Sequence, residues 1–176
     1  MAFFKTGVAT ALMAGLIAGS ALAQSQSTNR VAAKTDWSVF VEDNPTECWG
    51  VSTPKETVNS RDGRVVAVNR GQILLMVFYR PSAGASGQVA FTGGYPFASG
   101  STVTIDISGT KFELFTEGEW AWPASASDDS QIIAAMKRGS DAKLTGRSGR
   151  GTQTDDTFSL LGFTAAVEDA AKRCGG

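Results

Sequence analysis

The amino-acid sequence predicts a mainly-β fold: a β-sandwich of about eight or more antiparallel strands with two short helices, the second at the C-terminus. Three observations predict it. Short runs that alternate apolar and polar residues recur along the chain, clusters of Gly, Ser and Asn separate them, and apolar residues at helical spacing occur in only two segments.

The elements follow in order. "TDWSVFV" turns Trp37, Val39 and Val41 to one side, the period of a half-buried strand. Further strands are predicted over 48–52, 64–69 and 88–92. "GQILLMVFYR" is apolar on both faces, so 73–79 should be a central strand. "STVTIDISGTKFELFTEGEWAW" reads as a meander: Val103, Ile105 and Ile107 alternate with polar residues, Ser108-Gly109 turns the chain, and Phe112 and Leu114 continue the pattern. "SDDSQIIAAMKRG" predicts a helix with Ser127 as N-cap, Asp128 and Asp129 at its positive end, Ile132, Ile133 and Met136 buried, and Gly139 as stop. Strands over 142–147 and 151–158 come next, with Asp155-Asp156 read as a hairpin turn. The last segment places Phe163, Val167, Ala170 and Cys174 on one helical face and pairs Glu168 with Lys172 on the other.

The amino terminus has another character. Lys5 precedes an apolar stretch from Gly7 to Leu22, and Ala21-Leu22-Ala23 before Gln24 has the small-x-small pattern of a secretory cleavage site. Residues 1–23 are therefore predicted to be a signal peptide and 24–176 a single domain. A retained anchor is disfavoured by the Gly, Ser and Thr content of the stretch, and no stable membrane span is predicted after it. Periplasm is the default destination; outer-membrane association or secretion would need a step that the leader does not encode. Losing Lys5 leaves 15 basic side chains against 17 acidic ones, which does not suit a nucleic-acid partner.

The chain contains no histidine and two cysteines. Without imidazole there is no Ser-His-Asp triad, Cys-His pair or His-ligated zinc. In an oxidising compartment Cys48 and Cys174 are most simply a disulfide, worth about 5 kcal/mol at the upper limit for so long a loop. The alternative, a nucleophilic Cys48, lacks a histidine base. Cys174 lies on the apolar face of the last helix, where it can fasten that helix to the sheet.

Other chemistry is sparse. Ser52-Thr-Pro-Lys55 and Ser140-Asp-Ala-Lys143 match Ser-x-x-Lys, but the companion Ser-Asp-Asn and Lys-Thr-Gly elements are missing. Strand spacing would put Glu117 and Glu119 on one face, as a retaining glycosidase needs, or as any solvated strand has them. Trp120 and Trp122 share that spacing and form either a carbohydrate platform or core. Arg147 and Arg150 in "GRSGRGT" suit an anion or simply a hairpin turn, and Tyr95 in "FTGGYPF" suits a partner contact or a lid over the sheet edge. No cofactor or metal is predicted.

The order "TDWSVFVEDNPTECWGVS", "VAVNRGQILLMVFYRP", "GQVAFTGGYPF", "FELFTEGEWAWP", "DDSQIIAAMKRGS", "LTGRSGRGT" and "DTFSLLGFTAAVEDAAKRC" resembles the invasion-associated locus B family of exported proteobacterial proteins. Many members carry a cysteine soon after the Trp-x-Val unit, where this chain has Val41, so their cysteine pattern is not carried over. The resemblance implies a non-enzymatic binding or accessory protein of the cell envelope, with a protein or glycan partner and a link to host-cell invasion. The alternative is a carbohydrate-binding or glycan-hydrolysing protein using Trp120, Trp122, Glu117 and Glu119.

Overall fold

The computed structural model describes residues 28–175, so the leader and its cleavage point lie outside the described residues. The chain is mainly β and antiparallel, with two helices, the second at the C-terminus. It begins with β1 (Arg30–Lys34), β2 (Trp37–Asp43), β3 (Thr46–Ser52), β4 (Glu56–Arg61) and β5 (Arg64–Val65). β6 (Leu74–Arg80) leads through a 3-10 turn (Pro81–Ala83) to β7 (Ala85–Thr92). The meander is β8 (Thr102–Ile107), β9 (Thr110–Glu117) and β10 (Trp120–Trp122). Helix α1 (Ala126–Met136), β11 (Asp141–Arg147), β12 (Gln153–Ser159) and helix α2 (Phe163–Arg173) complete it.

The two opposed faces of a sandwich arise here from one continuous sheet that curls over itself. Its strand order is β1-β2-β3-β6-β7-β10-β9-β8-β11-β12-β4-β5. β7 and β12, well separated in that order, meet across the interior where the Phe91 and Phe158 rings pack edge to face at 6.1 Å. The two ends of the sheet also approach each other: Trp37 Nε1 on β2 donates to Ser159 O on β12 at 2.9 Å, and only residues 53–55 connect β3 to β4. A sheet of this many twisted strands curls rather than staying flat, because strand twist accumulates.

The two-residue strand period sorts the side chains. Inward go Trp37, Val39, Cys48, Leu75, Val77, Val89, Phe91, Val103, Ile105, Leu144 and Phe158, all but fully buried. The predicted central strand is β6, which lies between β3 and β7. Both helices pack on the concave side. α2 sets Phe163 against Trp37 (centroids 4.8 Å), and it packs over Gly50 of β3, where a Cβ would lie in ordinary contact with Ala166 and Val167 at 3.7 Å. α1 buries Ile132, Ala135 and Met136, and Lys137 just beyond it reaches Glu168 of α2 at 3.0 Å.

Cys48 and Cys174 form a disulfide across a sequence separation of 126, with Cα atoms 5.9 Å apart. It ties the end of α2 to β3, both sulfur-bearing residues being buried.

Several local expectations need correction. The N-cap of α1 is Ser125, whose hydroxyl accepts from Asp128 N, and Ser127 lies inside the helix. The cap is set by extended backbone at Ser125 (φ −153°), which two competing serines in "PASAS" do not reveal. The strand expected over 64–69 stops at Val65; β1 and β4 lie outside the expected strands, since "RVAAK" has no polar-apolar alternation and "ETVNSR" has Val58 as its one apolar residue. Asp155-Asp156 is not a turn but the middle of β12, paired with Val58 and Thr57 of β4; the turn falls at 148–152. Glu168 pairs with Lys137 rather than Lys172, and the i,i+4 pair of α2 is Asp169 with Arg173 at 2.8 Å.

Candidate functional site

Two clefts open on opposite sides of the β9–β10 hairpin. The hairpin is closed by Gly118-Glu119, with Gly118 at φ +59°, a conformation that glycine adopts without steric cost. Glu117 ends β9 and lines one cleft, whereas Glu119 sits in the turn and lines the other. The two residues thus line different clefts, whereas a glycosidase pair flanks one bond.

The first cleft, about 680 Å³, lies between the hairpin, the 3-10 turn and the start of α1. Its walls include Arg80, Gln88, Phe115, Glu117, Trp122 and Asp129. On β10 the buried Ala121 points inward, so Trp120 and Trp122 both point outward, half-buried, with their rings stacked at 5.6 Å and 27°. Trp122 lines the cleft; Trp120 stacks on it without lining the cleft, and so buttresses it. Phe115, directly across the strand pair from Trp122, is 46% exposed.

Arg80 forms the opposite wall. Its guanidinium lies 4.1 Å from the Phe78 ring centroid, its Nη1 donates to Gln88 Oε1 at 3.3 Å, and its Nε sits 3.2 Å from Glu47 Oε1, close enough to pair but misaligned for a hydrogen bond. Burial raises the pKa of the Asp129 carboxyl, partly offset by the hydrogen bond it accepts from Val89 N at 2.7 Å. The ring line continues along the outer face, with Phe78 6.0 Å from Trp49 and Trp49 stacked on Phe40 at 5.5 Å.

The second cleft, about 630 Å³, is lined by Arg61, Arg70, Tyr95, Glu119, Arg150 and Thr154 among others. Its floor is a buried ion pair. Arg70 Nη1 and Nη2 donate to Asp156 Oδ1 and Oδ2 at 2.8 and 2.5 Å, and Arg70 Nε donates to Gly93 O at 2.8 Å. Tyr95 lies over this pair, with Arg70 Cζ 5.0 Å from its ring centroid and its hydroxyl 2.5 Å from Thr154 Oγ1. Burial raises the Tyr95 pKa. The loop is held close by Gly71 N donating to Gly94 O at 2.8 Å; a Cβ on Gly94 would reach 2.7 Å from the Gly71 backbone.

The five residues considered as a ligand surface thus divide. Trp122, with Trp120 behind it, belongs to the first cleft, while Tyr95 and Arg150 belong to the second. Arg147 is exposed on β11 and lines neither. Both Ser-x-x-Lys lysines are occupied by carboxylates, Lys55 by Asp36 at 2.5 Å and Lys143 by Asp155 at 3.2 Å. Among the described residues no three His, Cys, Asp or Glu side chains are grouped to hold a metal, and no helix is long and apolar enough to cross a membrane.

Sequence reasoning missed Arg70, Asp156, Arg80, Gln88 and Phe115. Asp156 carried a signal: it shares the strand parity of Thr154 and inward-facing Phe158. Arg70 carried none, since its partner lies 86 positions away.

A family model described as "Invasion associated locus B (IalB) protein" matches residues 37–171. No curated protein matches the chain. Among solved structures, the chain is similar to the crystal structure of invasion associated protein b from Bartonella henselae, with a TM-score of 0.57 and 15% identity over 82% of this chain and 98% of that one. At that identity the likeness speaks for the fold.

Proposed function

The chain belongs to the invasion-associated locus B family, and from that premise we propose that it is a non-enzymatic, exported binding or accessory protein of the cell envelope. In this reading residues 1–23 are a cleaved signal peptide and residues 24–176 form the mature domain, resident in the periplasm, at the outer membrane or outside the cell. The observation that carries it is the buried Cys48–Cys174 disulfide, a bond that persists in oxidising compartments and is rare in the cytosol. A binding role rather than catalysis is supported by the separation of Glu117 and Glu119 into different clefts.

Cell fractionation with alkylation before any reductant tests the reading. The expected product is a leaderless polypeptide in the periplasmic or extracellular fraction with no alkylated cysteine. A cytosolic chain that keeps residues 1–23 and carries two alkylated cysteines refutes it. Photo-crosslinking from Tyr95 and Phe115 positions in intact cells should capture envelope partners. A contribution to host-cell invasion is what the family's name brings to this chain. A deletion strain that enters host cells as well as its parent removes that part.

A further inference from the structure

We propose that the first cleft is a saccharide-binding site that takes an uncharged, hydroxyl-rich sugar chain, with Trp122 as the stacking surface; this rests on the reading of the protein as a binding domain. Sugars present two chemistries at once, apolar C–H faces that lie on aromatic rings and hydroxyl rims that need donors and acceptors beside those rings. The cleft offers both within about 680 Å³, a volume in the range of small-ligand sites.

Trp122 and the 46%-exposed Phe115 supply adjacent aromatic walls, and Trp120 fixes the Trp122 ring by stacking at 5.6 Å. An aromatic ring held in this way gives contact area without losing rotamer entropy on binding. Around it stand Gln88 and Arg80 as donors and Glu117 and Asp129 as acceptors. Arg80 is already beside Glu47 at 3.2 Å and bonded to Gln88, so its charge is offset while its guanidinium has more N–H groups than these contacts use. With two further carboxylates in the wall, an acidic ligand would meet repulsion, which is why the sugar should be uncharged.

Titration of chitotetraose, cellotetraose, maltotetraose and tetragalacturonate, followed by the indole N–H signals in NMR, tests this. At least one neutral tetrasaccharide should shift the Trp122 indole saturably and leave that of Trp37, whose Nε1 is bonded to Ser159 O, in place. Trp122→Ala should weaken that binding about tenfold or more, and Trp122→Phe should recover part of it. Trp122→Ala removes a half-buried ring and its stacking on Trp120, so its urea midpoint should fall modestly, while Trp122→Phe, which keeps a ring, should stay nearer the wild type; an unmoved Trp37 indole signal shows that both remain folded. The proposal is overturned by no Trp122 shift from any neutral sugar at about 10 mM, where even millimolar affinity would register. Tighter binding of tetragalacturonate, or binding undiminished in Trp122→Ala, would overturn it as well. Such a failure leaves the envelope-binding reading standing if crosslinked partners and an exported, oxidised chain are found, whereas free thiols on an unprocessed cytosolic chain sink that reading itself.

Discussion

Replacing Asp156 with leucine should be among the costliest single changes this fold can suffer. Asp156 is fully buried and the Arg70 side chain is 6% exposed, and the two are joined by a bidentate pair. Taking away the carboxylate leaves a guanidinium that cannot shed its proton, out of water, with Gly93 O and Asn59 Oδ1 as its remaining partners. Breaking one side of a buried pair in this way costs about 3–5 kcal/mol, and Arg70→Met, which strands the carboxylate, should cost a similar amount. The double change Arg70→Met with Asp156→Leu removes both desolvation penalties, so it should lie within about 1 kcal/mol of the wild type or above it. The double-mutant cycle then yields a coupling of several kcal/mol rather than additivity. Urea unfolding of the oxidised protein, with unchanged denaturant slope as the two-state check, measures all four species. Single costs below about 1 kcal/mol, or costs that add in the double variant, would refute the reasoning.

Four further outcomes are expected. Replacing Cys48 and Cys174 by alanine together should lower unfolding free energy by up to about 5 kcal/mol in the chain-entropy picture for a separation of 126, and equal midpoints with and without the bond would contradict it. Ser125→Ala should cost about 1 kcal/mol and Ser127→Ala less than about 0.5, a contrast readable in thermal unfolding that reverses if Ser127 is the cap. Gly162→Ala should cost about 3 kcal/mol or more, because φ is +88° and a Cβ there would overlap the Lys34 carbonyl; a neutral result by urea unfolding counts against the described start of α2. Two carboxylates should give stability opposite pH slopes. Asp129, raised by burial, favours folding as pH falls from its folded value toward the ordinary carboxylate value of 3.8, so Asp129→Asn should flatten that gain. Asp169, lowered by the hydrogen bond from Arg173 and then by Lys34, loses its contribution as pH falls from 3.8 through its folded value, so Asp169→Asn should flatten that loss; acid titrations of unfolding free energy that show the slopes exchanged would reverse the assignment.

The legible part of the fold was the part fixed by local periodicity. Trp37 and Val39, the doubly apolar β6, the Ser108-Gly109 hairpin and the stripe of α2 each declare their partner face within a few residues. The disulfide was legible for another reason: with only two cysteines, the pairing has a single solution. β1 and β4 were illegible because they lie at or near the ends of the sheet, where pairing comes from backbone hydrogen bonds and few side chains are buried. No short-range signal distinguishes such a strand from an extended loop.

The candidate site was half legible for a related reason. Strand parity predicts that Trp120 and Trp122 share a face, but which face follows only from the sheet's curl, which assigns the concave side to Ala121 and the convex side to the indoles. The same parity argument fails for Glu117 and Glu119, because the chain reverses between them at Gly118. A two-residue offset keeps side chains together only while the strand continues. Where a hairpin intervenes, the same spacing sends them to opposite sides, and here it splits an apparent acid pair into a rim acceptor beside Trp122 and a wall of the arginine-floored cleft. Glu117 is thus left beside Trp122 with Asp129 in the same cleft lining, and the acid pair that the spacing suggested does not assemble there.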